Sequence, residues 1–245
     1  MSAKIDTAMV LAAGFGKRLR PITEAIPKPL VPVGGRTMLD RALDAAEDAG
    51  ITKAVVNVHW LGQQIVDHCA HRASPETVIS DERDRILETA GGVIKALPLL
   101  GGAPFLLLNA DTFWVERGKS NLKAMIDAFD PSRMDVLLML CPLDRTTGHS
   151  GGGDFAMNAD GRLARLEDKS DPAGLLYAGA TIYNPAVFNG AKAEPHSLNV
   201  YYDKAIAQGR LFGHVMENAH WFTVGTPEAL PAAEAELVSL SHRFH

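Results

Sequence analysis

A run of small and cationic residues follows the first apolar segment of the sequence. It reads Leu11, Ala12, Ala13, Gly14, Phe15, Gly16, Lys17, Arg18. Small residues let backbone N–H groups approach an anion and the cations can neutralise it, so the run predicts a phosphate-binding loop. It is neither a P-loop nor a dinucleotide-binding fingerprint, because Leu19 stands where the third glycine of that fingerprint would be. On this run alone, a tight turn with solvated cations is an equally good interpretation.

A second motif lies a short distance further on, where Pro27 and Pro29 flank Lys28. Proline restricts its own backbone and that of the residue before it, so the pair stiffens the segment and holds the neighbours of Lys28 extended. We expect a rigid segment that presents the ammonium group to an anion. The alternative is a stiff surface loop in which the lysine has no role.

Polar residues also follow the strongest apolar run of the chain, where Asn109 and Asp111 come after Phe105–Leu108. The carboxyl ends of parallel strands are where open α/β sheets bind their ligands. A carboxylate there suits Mg²⁺, which takes one or two carboxylates and completes its shell with water and substrate phosphates. We therefore expect Asp111 to be a magnesium ligand, with a helix cap or turn former as the alternative.

These motifs together resemble the signature of the nucleoside-diphosphate-sugar pyrophosphorylase family. The pattern is L-A-A-G-x-G-x-R-L-x-P followed by P-K-P-L-x-P-V, and further matches lie at His59–Ile65, Leu87–Gly92, Leu108–Asp111 and Gly152–Phe155. The resemblance covers nearly the whole chain. It implies an enzyme that joins a nucleoside triphosphate to a sugar 1-phosphate and releases pyrophosphate. Within the family the chain is most similar to the uridylyltransferases of cell-wall sugar recycling, which use UTP and N-acetyl-α-D-muramate 1-phosphate.

The resemblance also implies which residues hold the nucleotide. Its implied contacts are Leu11, Ala12, Ala13 and Gly14 through their backbone, Gly16, Lys17 and Arg18 around the β- and γ-phosphates, Asn109, and Asp81, Thr89, Ala90 and Gly91 near the base. Arg18 would stabilise the departing pyrophosphate, and Lys28 would lie against the α-phosphate. With Asp111 these two form the expected catalytic set. For Asp81, an ordinary polar loop residue is at least as good an interpretation.

For the sugar the resemblance implies Asp154, Glu167 and Gly179, although a solvated charge is an equally good interpretation of Glu167. Family members usually carry a second metal-binding aspartate in a W-x-D-x-G-T motif, and here Thr223 stands at that position. A neutral hydroxyl is a far weaker Mg²⁺ ligand than a carboxylate. Either Asp111 and the phosphates suffice, or a water bridges Thr223 to the ion, or the protein is catalytically weak.

Short apolar runs predict the strands that position these residues. They lie at Ala8–Ala12, Ala54–Val58, Phe105–Leu108 and Val136–Leu140, with shorter candidates around Phe155, Leu163 and Ala180. Helices are predicted over Met38–Ala49, Gly62–Ala70, Glu88–Leu99 and Pro227–Leu240. This alternation is typical of a three-layer, Rossmann-like α/β fold with a mostly parallel central sheet and helices on both faces. We expect one domain over residues 1–245, with a nucleotide-binding part to about residue 147 and a sugar-binding part with the last helix from about 148.

The composition narrows the class of partner. The chain has 245 residues, 47% of them hydrophobic, and a net charge of -5, whereas a general nucleic-acid binder usually carries a basic face. No stretch approaches 18 uncharged apolar residues and no signal peptide is recognisable, so no membrane partner is expected. Cys69 and Cys141 suggest neither a disulfide framework nor a metal site, which favours a cytoplasmic protein. No pattern marks an interface, and we expect a monomer or a weak homo-oligomer.

Two other functions stay open at this point. The same fold and reaction could serve glucose or mannose 1-phosphate with dTTP or GTP, since base and sugar selectivity depend on few contacts. A function of another class is a nucleotide-sugar sensor or regulatory subunit that binds at this pocket and has lost catalysis through Thr223.

Overall fold

The computed structural model describes residues 4–243. Its strands are β1 Thr7–Leu11, β2 Pro32–Val33, β3 Arg36–Thr37, β4 Lys53–Val58, β5 Glu76–Asp81, β6 Phe105–Asn109, β7 Thr112–Glu116, β8 Val136–Pro142, β9 Thr146–Thr147, β10 Phe155–Met157, β11 Leu163–Arg165, β12 Leu175–Tyr183, β13 Leu211–Val215 and β14 Ala219–Thr223. Its α-helices are α1 Ile22–Ala25, α2 Met38–Asp48, α3 Gly62–Ala70, α4 Glu88–Leu100, α5 Asn121–Ala128, α6 Asn199–Ala207 and α7 Ala229–Arg243.

The main sheet runs in the order β5, β4, β1, β6, β12, β8 and β13. The first four strands are parallel to one another, β12 is antiparallel to both of its neighbours β6 and β8, and β13 is parallel to β8. The hairpin of β10 and β11 joins beside the start of β12. The strands that carry the predicted phosphate loop and Asp111, β1 and β6, are therefore direct neighbours.

Helices cover both faces of this sheet because side chains alternate along each strand. On β1, Ala8 and Val10 enter the core under α2, α3 and α5, while Met9 enters the core under α4 and α6. In α2 the buried residues Leu39 and Leu43 recur at helical spacing. Both are fully buried, so truncation of either to alanine would cost about 2–5 kcal/mol.

A third, smaller core lies beside the phosphate loop. It is formed where β7, β14 and β9 make a separate sheet that α7 covers. The rings of Phe113 and Phe222 stack there with centroids 4.8 Å apart, and Leu19 from the loop is fully buried among them. Segments from both ends of the chain thus support the loop.

The predicted strands and helices are present, with ends that differ by at most three residues. The elements that the sequence did not predict are β5, β7, β13, β14, α5 and α6, besides the two-residue strands and the short α1. Within residues 4–243, no helix combines the length and the apolar character that a membrane span requires.

Candidate active site

The loop after β1 is held in shape by one glycine and kept open by another. Gly16 has φ of 62°, and a Cβ there would lie 2.8 Å from the Thr23 methyl group and 3.1 Å from Lys28 Cβ. The Thr23 hydroxyl donates to the Gly16 carbonyl at 2.8 Å, which closes the loop on α1. Gly14 differs, because no heavy atom lies within 4 Å of the position its Cβ would take. Gly16 is therefore required by the packing of the loop itself, whereas Gly14 faces open space.

A cavity of about 410 Å³, called here the wide cavity, opens at the carboxyl ends of β1 and β6. Its lining residues are Leu11, Ala13, Gly14, Asn57, Ile86, Glu88, Thr89, Asn109, Asp111 and Ser197. The lining is partly apolar and partly polar, and its two carboxylates, Glu88 and Asp111, are accompanied by the uncharged polar side chains of Asn57, Thr89, Asn109 and Ser197. Such a mixture suits a nucleoside with a flat base and a ribose.

A second cavity of about 240 Å³, the cationic cavity, adjoins it. Its lining residues are Gly14, Gly16, Lys17, Arg18, Lys28, Asp111 and Gly225. The two cavities share Gly14 and Asp111. Three cations around a glycine-rich turn can neutralise a polyphosphate, so the pair of cavities matches a nucleoside joined to a phosphate chain.

Lys28 and Asp111 form an ion pair between these cavities. The Lys28 Nζ atom lies 2.8 Å from Asp111 Oδ2, and the lysine side chain is 11% exposed whereas the aspartate is 42% exposed. Pro27 is extended as expected, but Lys28–Leu30 forms a 3-10 turn. The prediction of extended neighbours was therefore right on one side of the lysine only.

Three of the four loop residues that were predicted to bind the nucleotide through their backbone line the wide cavity. Leu11, Ala13 and Gly14 line the wide cavity, whereas Ala12 is not one of its lining residues. The Ala12 N–H donates to Asn57 Oδ1 at 2.7 Å, and Ala12 is 2% exposed. Ala12 therefore anchors the loop to β4 and has no N–H to offer a ligand.

The residues predicted to lie near the base also have different surroundings in the structure. Thr89 lines the wide cavity, whereas the Ala90 N–H donates to the His196 carbonyl at 2.9 Å. A Cβ on Gly91 would lie 2.3 Å from the Glu194 carbonyl oxygen. Ala90 and Gly91 are small because α4 packs against the backbone of residues 194–196, and this packing brings Ser197 to the cavity.

Asp81 lies outside both sets of lining residues. Its carboxylate pairs with the Arg83 guanidinium on the surface, and the hydrogen bond from Arg83 lowers the pKa of Asp81 to about 2. The neighbouring acid, Glu82, is the one that turns inward and is fully buried. The structure thus gives no support to a contact between Asp81 and a base.

Of the predicted sugar-side residues, Gly179 lies beside Asn109, a lining residue of the wide cavity. Its φ is 84°, at the irregularity where β12 changes register with β8, and a Cβ there would lie 2.3 Å from Thr112 Oγ1 and 3.4 Å from Asn109 Cβ. Asp154 accepts the Tyr177 backbone N–H at 2.9 Å, which fixes the hairpin of β10 on β12. Glu167 is exposed on that hairpin.

Thr223 lies opposite Thr112 in the antiparallel pair of β14 and β7, and so beside the strand that begins directly after Asp111. A Cβ on Gly225, two residues further, would lie 3.7 Å from an Arg18 guanidinium nitrogen, in ordinary contact. The motif that contains Thr223 therefore reaches the cationic cavity through Gly225, and Thr223 carries a hydroxyl at the position where family members usually have a carboxylate.

The cationic cavity offers one carboxylate to a divalent cation. Among the described lining residues of the cationic cavity, Asp111 supplies the carboxylate. No group of three or more His, Cys, Asp or Glu side chains within residues 4–243 is arranged to enclose a metal. A single half-exposed carboxylate fits Mg²⁺ that takes its other ligands from phosphates and water.

Comparison with known proteins agrees with this geometry. A family model described as nucleotidyl transferase matches residues 7–239. The chain belongs to the nucleotidyl transferase family. This nucleotidyl transferase is 41% identical over 241 residues to the N-acetylmuramate alpha-1-phosphate uridylyltransferase of Caulobacter vibrioides, which covers 97% of the chain and 99% of that relative. It is 34% identical over 231 residues to the enzyme of the same name from Neisseria meningitidis, which covers 93% and 96%.

A solved structure supports the fold of this nucleotidyl transferase. The inositol-1-phosphate CTP transferase from T. maritima superposes with a TM-score of 0.74 at 20% identity, and covers 98% of the chain and 97% of that structure. The predicted fold class, an α/β fold with a mostly parallel central sheet between helical layers, is confirmed.

Sequence reasoning missed four lining residues of the wide cavity, namely Asn57, Ile86, Glu88 and Ser197, and Gly225 of the cationic cavity. Signals were present for Asn57, a polar residue within the apolar run of β4, for Glu88 within the matched segment Leu87–Gly92, and for Gly225 at the glycine of the W-x-D-x-G-T motif.

Proposed function

We propose that the protein transfers a uridylyl group from UTP to N-acetyl-α-D-muramate 1-phosphate and releases pyrophosphate. The observation that carries the proposal is the junction of the wide cavity with the cationic cavity at Gly14 and Asp111. The choice of substrates rests on the 41% identity to a relative with that named activity. We place this activity in the cytoplasm, in the recycling of cell-wall sugars, and assign it to a monomer or weak homo-oligomer.

In the proposed reaction a phosphate oxygen of the sugar 1-phosphate attacks the α-phosphorus of UTP. A new P–O bond forms, the bond between the α-phosphorus and the bridging oxygen breaks, and pyrophosphate leaves with the electron pair. No covalent bond to the protein is needed, so positioning and charge neutralisation supply the catalysis. Magnesium, when bound, would neutralise the phosphate oxygens beside Asp111.

The residues of the cationic cavity would act on the phosphate chain. Lys17 and Arg18, which line this cavity, would neutralise the β- and γ-phosphates and then the departing pyrophosphate. Lys28 would exchange its bond to Asp111 for an oxygen of the α-phosphate, since its ammonium is a compact charge on a flexible stem. Asp111 would then be free to hold the magnesium ion.

The two parts of the chain would divide the substrates between them. Within one domain, we assign most of the nucleotide contacts to residues 1–147 and the sugar to residues 148–245, although Ser197 and Gly225 from the second part also line the nucleotide cavities. Gly179 supports the sugar assignment, because its close approach to Asn109 and Thr112 brings β12 to the edge of the wide cavity. Asp154 and Glu167 would take part through the β10–β11 hairpin.

A substrate matrix tests the proposal. Wild-type protein is assayed for pyrophosphate release with UTP, dTTP or GTP against N-acetylmuramate, glucose and mannose 1-phosphates, with and without Mg²⁺. Turnover is expected with UTP and N-acetylmuramate 1-phosphate, and Arg18→Ala and Asp111→Ala should abolish most of it. Turnover of mannose 1-phosphate with GTP alone would exclude the proposed substrates, and full activity in both variants would exclude the proposed site.

Thr223 favours a second candidate, a nucleotide-sugar sensor with little catalysis, because the strand that pairs with Thr112, directly after Asp111, carries a hydroxyl instead of a second carboxylate. Calorimetry with UTP and with UDP-N-acetylmuramate separates the two functions. Tight binding without pyrophosphate release from any pair in the matrix would identify the sensor.

A further inference from the structure

A buried chain of side-chain hydrogen bonds ends on the phosphate loop. The Ala12 N–H donates to Asn57 Oδ1 at 2.7 Å, and Asn57 Nδ2 donates to Glu82 Oε1 at 2.8 Å. Ala12 begins the loop, Asn57 lies on β4, and Glu82 follows the end of β5. Three neighbouring strand ends are thereby connected through polar atoms at the point where the wide cavity opens.

This chain is shielded from water. Asn57 is 2% exposed and Glu82 is fully buried. The helix α4 closes over the pair at Gly92, where a Cβ would lie 2.7 Å from Glu82 Oε1 and 2.9 Å from Asn57 Nδ2. Hydrogen bonds in such surroundings are strong when complete and costly when one partner is lost.

The order of donors and acceptors leaves one arrangement of the Asn57 amide. The Ala12 N–H can only donate, so it requires the amide oxygen. Glu82 accepts at its carboxylate, so it requires the amide nitrogen. A flipped amide would set its N–H donors against the Ala12 N–H at one end and its oxygen against the Glu82 carboxylate at the other. Glu82 therefore fixes the orientation of Asn57, and Asn57 in turn fixes the backbone of Ala12.

Burial of a carboxylate costs free energy, so its use to orient an amide calls for a reason. Burial raises the pKa of Glu82, against the hydrogen bond from Asn57. Glu82 also does not line the cationic cavity, so its carboxylate does not serve there as a ligand for a metal ion. Glu82 is hydrogen-bonded to Asn57, and Asn57 is hydrogen-bonded to Ala12. Ala12 immediately precedes Ala13 and Gly14, which line the wide cavity.

We propose that Asn57 and Glu82 are positioning residues for the nucleotide, which hold the Ala12–Gly14 backbone in its binding conformation before the ligand arrives. A preorganised loop loses less conformational freedom on binding, and affinity rises for that reason. The inference rests on the proposed function in one respect, namely that the ligand of the loop is a nucleoside triphosphate.

The test compares UTP binding, measured by calorimetry with Mg²⁺, in variants of this chain. Glu82→Ala and Asn57→Ala should each raise the Kd and the KM for UTP about tenfold or more, because a buried hydrogen bond is lost. The KM for the sugar 1-phosphate should stay within about twofold. Glu82→Gln should stay near wild type, because its side-chain carbonyl can still accept from Asn57.

If the alanine variants fold poorly, exchanging the amide and the carboxylate between positions 57 and 82 provides a second test. Asn57→Asp alone sets two carboxylates against each other and should raise the Kd for UTP at least as much as Asn57→Ala. Combined with Glu82→Gln it restores the order, since the new amide donates to the new carboxylate, which accepts from Ala12. The double variant should return to within about threefold of the wild-type Kd.

The chain contains a matched control. Asn121 is 3% exposed and donates through Nδ2 to Glu116 Oε2 at 2.6 Å, remote from both cavities. Glu116→Ala should lower the Tm and leave the Kd for UTP unchanged. Wild-type UTP affinity in both Glu82→Ala and Asn57→Ala would overturn the inference. If wild-type protein instead binds a different triphosphate, the proposed substrate is wrong, and the same variants are then measured with that nucleotide.

Discussion

Replacement of Lys28 by methionine removes one charge from the junction of the two cavities and keeps nearly the same volume. The lysine side chain is 11% exposed, and its stem packs beside Gly16 and Thr23. An unbranched thioether fills that space without a polar group. The change therefore separates the role of the charge from the role of the packing.

The expected loss differs greatly between activity and stability. Asp111 is 42% exposed, so water replaces the ammonium and the free energy of unfolding should fall by no more than about 1 kcal/mol. For a chain of this length, about 1 kcal/mol lowers the Tm by about 2–4 °C. Loss of one preorganised partner for transition-state charge costs about 2.7–4 kcal/mol, so kcat should fall roughly 10²–10³-fold.

The assay is pyrophosphate release at saturating substrates, with the Tm of each variant measured in the same buffer. Lys53→Met is the matched control, since Lys53 is partly buried and donates to the Leu99 carbonyl at 2.6 Å, far from the cavities. It should keep full activity. If Lys28→Met retains kcat within about threefold of wild type, the ammonium does not act on the reacting phosphate and the reasoning fails.

Three further results are expected. Thr223→Asp adds a carboxylate beside Asp111 and should lower the Mg²⁺ concentration for half-maximal activity; an unchanged magnesium titration would make the hydroxyl irrelevant. Gly91→Ala drives a methyl group against the backbone of residue 194, so thermal unfolding should show about 1–3 kcal/mol of destabilisation and the KM for UTP should rise, whereas a wild-type Tm would contradict the packing. Burial raises the pKa of Cys69 to about 11 and of Cys141 to about 12, so at pH 8 both are protonated thiols and Ellman's reagent should label them only in denaturant; rapid labelling of folded protein would contradict their burial.

The parts of the fold that the sequence predicts are those stabilised by local patterns. The runs of β1, β6 and β8 are continuous and apolar because helices cover both faces of the sheet. The pair of β7 and β14 escaped prediction, because residues 112–116 meet residues 219–223 and half of each strand faces a separate small core. Such pairing depends on contacts distant in sequence, which periodicity does not encode.

The same limit applies to the candidate site. Residues that act through type and spacing, such as Gly14, Arg18 and Lys28, were predicted and line the cavities. The acidic run that begins at Asp81 gave no way to tell which carboxylate turns inward, because Asp81 and Glu82 alternate across the end of β5. The structure decides in favour of Glu82, which has Asn57 to receive it.

The contrast between Gly14 and Gly16 bears on how variation in the loop would be tolerated. An alanine at position 16 would place its Cβ 2.8 Å from the Thr23 methyl group and would have to adopt an unfavourable positive φ. Misfolding would therefore reveal this substitution. An alanine at position 14 meets nothing within 4 Å, and its methyl group would stand in the passage between the two cavities. A screen for soluble, heat-resistant protein would pass that variant unnoticed. Only a screen that includes the ligand would reject it.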